Sequence, residues 1–473
     1  VCDPACGTGG MLSETQNWIR AHNASAQVIA HGQDYNPRSY AVAASDLLIK
    51  GHRDSRIEFG NTLIDDKFAG ERFDYLLANP PFGVDWKEEQ KILSKRTSFH
   101  GYSGKLPRVN DGALLFLLYM IGHFEEVRPA EKKHGSRCAI VFNGSPLFTG
   151  GAGSGESEIR RWIIEQDMLE AIVALPEQMF YNTGIGTFIW VVTNRKDKKR
   201  RGKIQLIDAR ERWAPMRRSL GDKRRYLTDD TIAELTREHG RFAETATSKV
   251  FDNADFGYRR VTIERPLRLR FQITPEAKEL FLDACPDRLE AVEAIEKELG
   301  HEAYDDWNGV WHDIQRLLKQ RGEKWSAKEK KLFRDAFTTT DPEAKPVVAK
   351  TRKATGEKDA DLYGWFPAAS GNPKSATEAS YEPDPKLRDF ENVPLKEDVV
   401  AYFLREVRPF VADAWINADI RDEQDGGIGK VGYEINFNRV FFQYQPPRPL
   451  EEIDAELAAV EKRILELLKE VTE

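Results

Sequence analysis

Hydrophobic and polar residues change their spacing along the chain in a way that predicts alternating strands and helices over residues 1–210. Short runs rich in β-branched and aromatic residues are typical of buried strands, and apolar positions three or four apart are typical of helices. The predicted strands are 28–32, 56–59, 73–78, 137–142, 169–175 and 187–193, and the predicted helices are 11–22, 38–50, 112–127 and 156–166. This alternation indicates an α/β fold with a mostly parallel sheet flanked by helices.

The pattern changes beyond residue 210. Residues 270–340 have a charged, tryptophan-containing helical pattern, and residues 341–390 are rich in Pro, Lys, Ser, Gly and Asp, which predicts an irregular connector. We therefore expect three parts: a catalytic core (1–210), a helical and irregular region (211–395) and a C-terminal assembly segment (396–473).

The C-terminus carries apolar residues alternately three and four apart, which predicts a heptad helix resembling a coiled coil. We call these residues the apolar stripe: Leu450, Ile453, Leu457, Val460, Ile464, Leu467 and Val471. Such a helix packs either on its own domain or on a helix of a partner. A stripe this regular at a chain end favours the partner.

Composition is that of an ordinary soluble protein, with 40% hydrophobic and 31% charged residues and a mean hydropathy of -0.57. No apolar run approaches the ~20 residues of a membrane span, and we expect no signal peptide, a cytoplasmic location and no membrane contact. The cysteines are scattered, without a C-x-x-C pair or clustered histidines, and we expect neither a disulfide framework nor a metal site. They are Cys2, Cys6, Cys138 and Cys285.

The formal net charge of -7 is unlike that of a stand-alone DNA-binding protein, which usually has a basic surplus. Any basic surface must be local, or another subunit must hold much of the nucleic acid. Residues 195–225 are the one strongly basic stretch, with fourteen Lys and Arg against four Asp and Glu. Two interpretations stay open for it: a solvated hairpin with a linker, or an edge near the active site that contacts phosphates.

A glycine-rich turn at residues 3–10 follows the first predicted strand end and begins a helix. Its glycines permit positive φ, and the helix N-terminus offers free N–H groups to a ligand. The turn departs from the G-x-G-x-x-G fingerprint of dinucleotide sites. An acidic strand end would repel a pyrophosphate but suits a cationic cofactor such as S-adenosylmethionine (AdoMet). The candidate cofactor contacts in this turn are Asp3, Pro4, Ala5, Gly7, Thr8 and Gly9.

Two further polar residues follow the next predicted strands. Asp34 ends the second strand, where a carboxylate can accept the ribose hydroxyls of a nucleoside cofactor. Asn61 follows the third strand and is a candidate contact to the adenine ring of the cofactor.

The second motif is Asn79-Pro80-Pro81-Phe82, directly after an apolar strand. Two consecutive prolines remove two N–H donors, so the loop presents carbonyl oxygens. Such oxygens suit an exocyclic amino group, whose lone pair is delocalised into its ring. If Asn79 Oδ1 and the Pro80 carbonyl each accept one N–H, the nitrogen can pyramidalise and attack a methyl group. Phe82 is expected to stack on an extruded base.

Together, residues 3–10 and 79–82 resemble motifs I and IV of the N6-adenine methyltransferases. The chain as a whole resembles the modification subunit of type I restriction-modification systems, with further similar stretches at 180–187, 261–267 and 432–435. The resemblance implies a Rossmann-like AdoMet-dependent methyltransferase core that methylates adenine N6 in double-stranded DNA. It also implies two partner chains: a specificity subunit and a restriction (motor-nuclease) subunit.

Applied residue by residue, the resemblance implies that Asp3, Gly7, Gly9 and Asp34 bind AdoMet. It implies that the 79–82 loop binds the target base. Phe180 or Tyr181 is a candidate for stacking on the other face of that base. Asn61 stands where the family usually has an aspartate, which weakens its assignment. The family also carries a segment and a helical domain before the first strand, so we expect a chain that begins at Val1 to bind cofactor weakly by itself.

Two alternatives remain open on the sequence alone. A methyltransferase acting on a protein glutamine or on an RNA amino group would also use an Asn-Pro-Pro loop followed by an aromatic residue. A non-catalytic scaffold that clamps DNA with a methyltransferase fold is the second alternative. The extension beyond residue 210 and the apolar stripe argue against a small stand-alone enzyme of the first kind, and the intact 79–82 loop argues against a degenerate scaffold.

Overall fold

The computed structural model describes residues 1–368, 377–442, 444 and 446–472, without the side chains of residues 466 and 469–472. The strands of residues 1–210 are β1 (Cys2–Asp3), β2 (His31–Asp34), β3 (Arg56–Phe59), β4 (Tyr75–Ala78), β5 (Val127–Arg128), β6 (Lys133–His134), β7 (Arg137–Phe142), β8 (Leu169–Ala174), β9 (Phe188–Thr193) and β10 (Lys203–Asp208). The helices are α1 (Gly10–His22), α2 (Pro37–Ile49), α3 (Lys87–Leu93), α4 (Ala113–Gly122), α5 (Ser145–Phe148) and α6 (Gly155–Glu165).

The rest of the chain contains both strands and helices. The strands are β11 (Ala214–Leu220), β12 (Lys223–Tyr226), β13 (Ser248–Asp252), β14 (Gly257–Glu264), β15 (Leu269–Phe271), β16 (Thr338–Thr340), β17 (Val348–Lys353), β18 (Phe366–Ala368), β19 (Thr377–Tyr381), β20 (Asp389–Pro394), β21 (Trp415–Ile416) and β22 (Lys430–Tyr433). The helices are α7 (Asp229–Arg241), α8 (Pro275–Ala284), α9 (Leu289–Leu299), α10 (Trp307–Gln320), α11 (Ala327–Phe337), α12 (Val399–Tyr402), α13 (Phe437–Val440) and α14 (Leu450–Thr472).

Nine strands of the described chain form one sheet, in the order β13-β10-β8-β9-β7-β4-β1-β2-β3. All neighbours from β7 to β3 are parallel, whereas β9 runs antiparallel between β7 and β8, and β13 runs antiparallel to β10. The predicted mostly parallel α/β sheet is confirmed. The strand order reverses direction between β1 and β4, and ligands of such sheets bind beyond the carboxyl ends of the strands at that point.

Helix α4 lies in the interior of this core. Eight of its side chains are buried, so it is apolar on nearly all sides. A helix with that pattern must be covered by protein all round. It belongs to the main hydrophobic cluster of the molecule, which also contains buried residues of β4, β7, β8, β9 and α6. Helix α4 therefore packs in the same buried cluster as β4, the strand that leads into the 79–82 loop.

A C-terminal segment returns to this core. The Tyr433 N–H donates to Ser157 Oγ (3.0 Å), and the Ile435 N–H donates to the Leu147 carbonyl (2.8 Å). The fully buried Arg160 on α6 donates through Nε to the Tyr433 carbonyl (2.6 Å). Part of the predicted assembly segment thus packs on the predicted catalytic core. The limits of the three predicted parts stay predictions.

Several predicted elements differ in extent from those observed. Strand β2 begins at residue 31 and not 28, because the Val28 carbonyl accepts the side-chain amide of Gln16 and not a strand N–H. Helix α4 ends at residue 122 and not 127, because Phe124 leaves the helix to bridge Phe73. The prediction of a helical and irregular region over 211–395 missed strands β11 to β20. Some of these, such as β14, pair with strands distant in sequence, whereas β11 and β12 form a local hairpin.

The predicted terminal helix is confirmed as α14. Among the stripe residues with described side chains, Leu450 is 76% exposed, Leu457 57% and Ile464 50%. Val471 lies among the residues whose side chains are not described. Over the described ranges, no helix is long and apolar enough to cross a membrane.

Candidate active site

The glycine-rich turn lies between the end of β1 and the start of α1. Gly7 and Gly9 both have positive φ, at 54° and 80°. A Cβ on Gly9 would lie 3.3 Å from the Ala43 Cβ of α2, so glycine also permits close packing there. A Cβ on Gly7 would meet nothing within 4 Å. The backbone at Gly7 therefore borders open space at the N-terminal end of α1, which begins without a side-chain cap.

Asp34, at the end of β2, is joined directly to this turn. Its Oδ2 accepts the Gly7 N–H at 2.9 Å, and its Oδ1 accepts the Asn36 N–H at 2.8 Å. The Cys6 N–H donates to the Gln33 carbonyl at 3.1 Å. The two predicted cofactor elements, 27 residues apart in sequence, are thus one hydrogen-bonded unit.

Asp3 is the buried carboxylate of the site. It is 2% exposed, and its Oδ1 accepts the Ala5 N–H at 3.0 Å. The pKa of Asp3 is raised to about 7, chiefly by burial; the Ala5 N–H opposes this shift and the Asp34 carboxylate adds to it. A carboxyl that is costly to ionise becomes more acidic when a cation lies beside it. Asp3 also fixes the shape of the turn, a role that the sequence argument did not assign to it.

Asn61 already has partners for both ends of its amide. Its Nδ2 donates to Glu89 Oε1 on α3 (2.7 Å), and its Oδ1 accepts the Leu63 N–H (3.0 Å). Its neighbour Thr62 donates from Oγ1 to the Pro4 carbonyl at 2.6 Å. Sequence reasoning missed Glu89 and Thr62, because neither belongs to a motif and only the fold brings them to the turn.

The 79–82 loop follows β4 directly. Asn79 is exposed and makes no side-chain hydrogen bond to any described residue, so its amide oxygen is available to a ligand. Pro80 is buried and Pro81 exposed, while Phe82 is partly buried. Strands β1 and β4 are neighbours, with Cys2 paired to Leu76. The two motifs therefore lie side by side at the reversal point of the sheet.

The loop at 175–187, which follows β8, adds an aromatic residue to this edge. The rings of Phe82 and Phe180 lie edge to face, with centroids 6.5 Å apart. Tyr181 is 61% exposed, and its ring faces Lys223 Nζ of β12 at 5.1 Å. Of the two predicted stacking candidates, Phe180 lies beside the 79–82 loop and Tyr181 faces the β11–β12 hairpin.

Three side chains far apart in sequence converge away from the two motifs. One ligand-type atom from each of Asp66, His100 and His123 lies within 4.8 Å of the others. His123 places Nδ1 2.8 Å from the Glu71 carbonyl and Nε2 3.1 Å from Asp66 Oδ2. Burial, together with the nearby His123, lowers the pKa of His100 to about 4. Hydrogen bonds within the protein thus account for both nitrogens of His123.

Comparison with known families gives a match over the part of the chain that carries both motifs. The family model described as N-6 DNA Methylase matches residues 1–258, more than half of the chain. The chain belongs to the N-6 DNA methylase family. The match includes the glycine-rich turn, Asp34, the 79–82 loop and the β11–β12 hairpin, and it confirms the resemblance drawn from the sequence. The family and the fold imply the use of AdoMet.

Curated relatives of this N-6 DNA methylase include methylase subunits of type I restriction enzymes. It is 30% identical over 274 residues to the HindI methylase subunit of Haemophilus influenzae, covering 54% of this chain and 56% of that protein. It is 26% identical over 279 residues to the MjaIX methylase subunit of Methanocaldococcus jannaschii, covering 58% and 47%. The chain spans about half the length of these curated relatives.

Among solved structures, the chain is similar to the type I restriction-modification system methyltransferase subunit from Streptococcus thermophilus. The TM-score is 0.45 and the sequence identity 21%, over 54% of this chain and 51% of that one.

Proposed function

We propose that this N-6 DNA methylase transfers a methyl group from AdoMet to the N6 amino group of adenine in double-stranded DNA, as the modification subunit of a type I restriction-modification complex. One observation carries the proposal. The glycine-rich turn and the 79–82 loop end the adjacent parallel strands β1 and β4, at the point where the strand order reverses. Ligands of open α/β sheets bind there, so a cofactor and a target base bound at these loops would meet.

The residues of the turn fit AdoMet. The open space at Gly7 lies beside the uncapped N-terminus of α1, where free N–H groups suit the cofactor carboxylate. Asp34 has two carboxylate oxygens at the end of β2, each with lone pairs left for ribose hydroxyls. Asp3, whose pKa burial raises, gains a favourable partner when a cation binds beside it. When bound, AdoMet would supply the activated methyl group.

The 79–82 loop would act on the target amine. Asn79 Oδ1 and the Pro80 carbonyl each accept one N6 hydrogen, which localises the nitrogen lone pair for attack. Asn79 has no competing side-chain hydrogen bond within the described chain, so its oxygen is free for that role. Preformed acceptors aimed at a developing positive charge stabilise the transition state without reorganisation.

Phe82 and Phe180 would hold the extruded base. Two rings stacked on opposite faces of one base are about 7–8 Å apart, given van der Waals separations of ~3.5–4 Å. The observed rings are in edge-to-face contact, with centroids 6.5 Å apart and an interplanar angle of 85°, so at least one ring must turn and the pair must separate for a base to enter. Two aromatic side chains at this edge are suited to stacking on a flipped nucleobase. Their presence is also the observation that favours a nucleobase over a glutamine side chain.

The partners are proposed from the family and from α14. The exposed apolar stripe is suited to packing on a helix of the specificity subunit, which would supply sequence recognition. The restriction (motor-nuclease) subunit would join the same complex. The net charge of -7 is consistent with shared DNA binding.

Transfer of a labelled methyl group tests the function. The full-length protein, combined with its specificity subunit, is incubated with labelled AdoMet and duplex DNA, and the DNA is digested to nucleosides. We expect the label in 6-methyladenine. Label in methylglutamine or in RNA would support the rival methyltransferases. DNA binding with no transfer to any of these substrates would support the non-catalytic scaffold.

A further inference from the structure

The hairpin formed by β11 and β12, residues 214–226, carries a concentration of positive charge beside the candidate active site. We call it the basic hairpin. Within nine residues it has five cations and a single carboxylate, Asp222. The cations are Arg217, Arg218, Lys223, Arg224 and Arg225.

The protein does not neutralise these cations. None of the five forms an ion pair within the part of the chain that the structure describes, and Arg217, Arg218 and Arg224 are exposed. Just before the hairpin the arrangement is different, since Arg210 and Arg212 each lie 2.7 Å from a carboxylate. A cluster of unpaired like charges is electrostatically unfavourable unless an anionic partner binds to it.

Backbone hydrogen bonds hold the basic hairpin against the loop at 175–187. The Arg224 and Arg225 N–H groups both donate to the Gln178 carbonyl, at 3.0 and 3.2 Å. The Asp222 N–H donates to the Tyr181 carbonyl at 3.1 Å. A Cβ on Gly221 would lie 2.5 Å from that same carbonyl oxygen, so glycine is required for this approach. The hairpin is thus attached on both sides of Phe180, the residue whose ring meets Phe82.

The topology separates this hairpin from the rest of the basic stretch. Strand β10 is parallel to β8, so residues 195–203 lie at its amino end, across the sheet from the 79–82 loop. Three of the seven cations there form ion pairs: Lys196 with Asp167 (2.6 Å), Arg200 with Glu170 (3.4 Å) and Lys203 with Asp252 (2.8 Å). The others form none within the described chain, but they lie on the edge opposite the 79–82 loop. On the active-site edge, the unpaired cations of this stretch are those of the basic hairpin.

We infer that the basic hairpin binds the phosphate backbone of the DNA next to the extruded adenine. The inference rests on the proposed function and adds a surface to it. Arginine and lysine contacts to phosphate position a duplex without reading its sequence. Because the basic hairpin is hydrogen-bonded to the loop at 175–187, it would hold the DNA backbone at a fixed distance from the base on which Phe82 stacks. Phosphate contact would also supply local affinity in a chain whose overall charge is negative.

A matched pair of triple variants tests the inference. Arg217→Gln/Arg218→Gln/Arg224→Gln removes three exposed cations from the basic hairpin. The control, Lys198→Gln/Lys199→Gln/Arg201→Gln, removes three exposed cations from the opposite edge, with the same change in net charge. Binding of the full-length protein to a random-sequence DNA duplex is measured over a range of KCl concentrations, without AdoMet.

We expect the hairpin variant to bind more weakly and to show a shallower dependence of log K on log [KCl], by roughly 0.9 for each phosphate that the variant no longer neutralises. The control should keep the wild-type slope. An unchanged slope in the hairpin variant, equally weakened binding in both variants, or no binding by the wild type even at low KCl would each overturn the inference. Methyl transfer is measured separately. If the hairpin variant changes the salt dependence of binding but the wild type transfers no methyl group, the proposed function alone is refuted. If the salt dependence is unchanged but the wild type transfers the methyl group, this inference alone is refuted.

Discussion

The rings of Phe82 and Phe180 meet edge to face, with an interplanar angle of 85° and centroids 6.5 Å apart. The two residues come from loops that follow β4 and β8, which are separated in the sheet by two strands. Their contact brings together two loops that the sequence places almost one hundred residues apart. The contact also distinguishes Phe180 from Tyr181, which the sequence left as equal candidates for stacking on the target base.

Phe180→Ala should weaken the hold on the extruded base. Base–aromatic stacking contributes ~1–3 kcal/mol for each base, so binding of DNA with a flipped target should weaken by roughly 5- to 150-fold. Fluorescence of 2-aminopurine at the target position reports extrusion. Tyr181→Ala is the matched control and should have the smaller effect on the base, because its ring faces Lys223. A larger effect from Tyr181 would reverse the assignment.

Asn79→Ala should reduce the rate of methyl transfer and leave binding intact. The variant loses one preformed acceptor for the N6 hydrogens, and the loss of one such group elsewhere costs ~10²–10³ in rate. Single-turnover transfer and calorimetric titration of AdoMet measure the two effects separately. Asn182→Ala, another exposed asparagine of this edge, should behave as the wild type. If AdoMet affinity falls together with the rate, Asn79 does not have the proposed role.

Asp3 should make the stability of the protein depend on pH. Its pKa is about 7 in the folded chain, against an ordinary value of 3.8. Between these values the unfolded chain releases the proton while the folded chain retains it, so this group lowers the free energy of unfolding as pH rises. The loss is complete above about pH 7. Asp3→Asn keeps an acceptor for the Ala5 N–H and should raise the melting temperature most above that pH.

The exposed Asp54→Asn is the control and should not change the pH profile. A cation bound beside Asp3 would favour its ionised form, so AdoMet binding near pH 7 should release protons. Calorimetry in buffers of different ionisation enthalpy detects that release. An Asp3→Asn variant with the wild-type pH profile would mean that Asp3 is already ionised in the folded chain.

The sequence predicted the two motif loops because their chemistry is local. Glycine at positive φ and consecutive prolines act within a few residues, and each loop directly follows an apolar strand. The partners of Asn61 and Asp34 could not be predicted in this way. Glu89 reaches Asn61 from α3, and the Gly7 N–H reaches Asp34 from another strand end, through contacts that only the folded sheet creates.

For the basic stretch at 195–225, too, the sequence alone could not predict the contacts with distant segments. Its cations cluster at both ends of residues 195–225, and the sequence left both interpretations of the stretch open. Strand β10 runs through the stretch and carries its two ends to opposite edges of the sheet. Carboxylates from distant segments, including Asp167 and Glu170, pair with some cations of the first end, while other cations at both ends form no ion pair within the described chain. Which of the unpaired cations lie on the active-site edge is therefore decided by topology and not by local sequence.

Arg160→Met should destabilise the catalytic core. The guanidinium donates to the carbonyls of Pro146, Thr149 and Gly150 as well as Tyr433, and it is fully buried. Buried carbonyls that lose their donor cost ~1–3 kcal/mol each, so we expect a loss of at least about 3 kcal/mol in the free energy of unfolding. Denaturant unfolding measures it. Arg237→Met, at an exposed position of α7, should change stability little. Equal stability of the two variants would show that water replaces the lost donors.

The apolar stripe of α14 should serve assembly and not the stability of the single chain. Leu457 and Ile464 are 57% and 50% exposed, so there is little packing for a polar substitution to disrupt. Leu457→Asp/Ile464→Asp should leave the melting temperature of the chain nearly unchanged. In a complex, the two introduced aspartate side chains would be buried against a partner helix. Burying an unpaired polar group costs ~2–7 kcal/mol, which would weaken assembly.

Co-purification with the specificity subunit and the melting temperature of the single chain are the two measurements. Ala455→Asp/Ala459→Asp is the matched control, because it adds the same charge to α14 outside the apolar stripe. Failed co-purification in the stripe variant alone, with unchanged melting, is the expected result. A helix shorter than ~12–15 residues is marginal in water, and one the length of α14 still gains most of its stability from packing. If the stripe variant melts well below the wild type and still assembles, α14 packs on its own chain and the partner assignment fails.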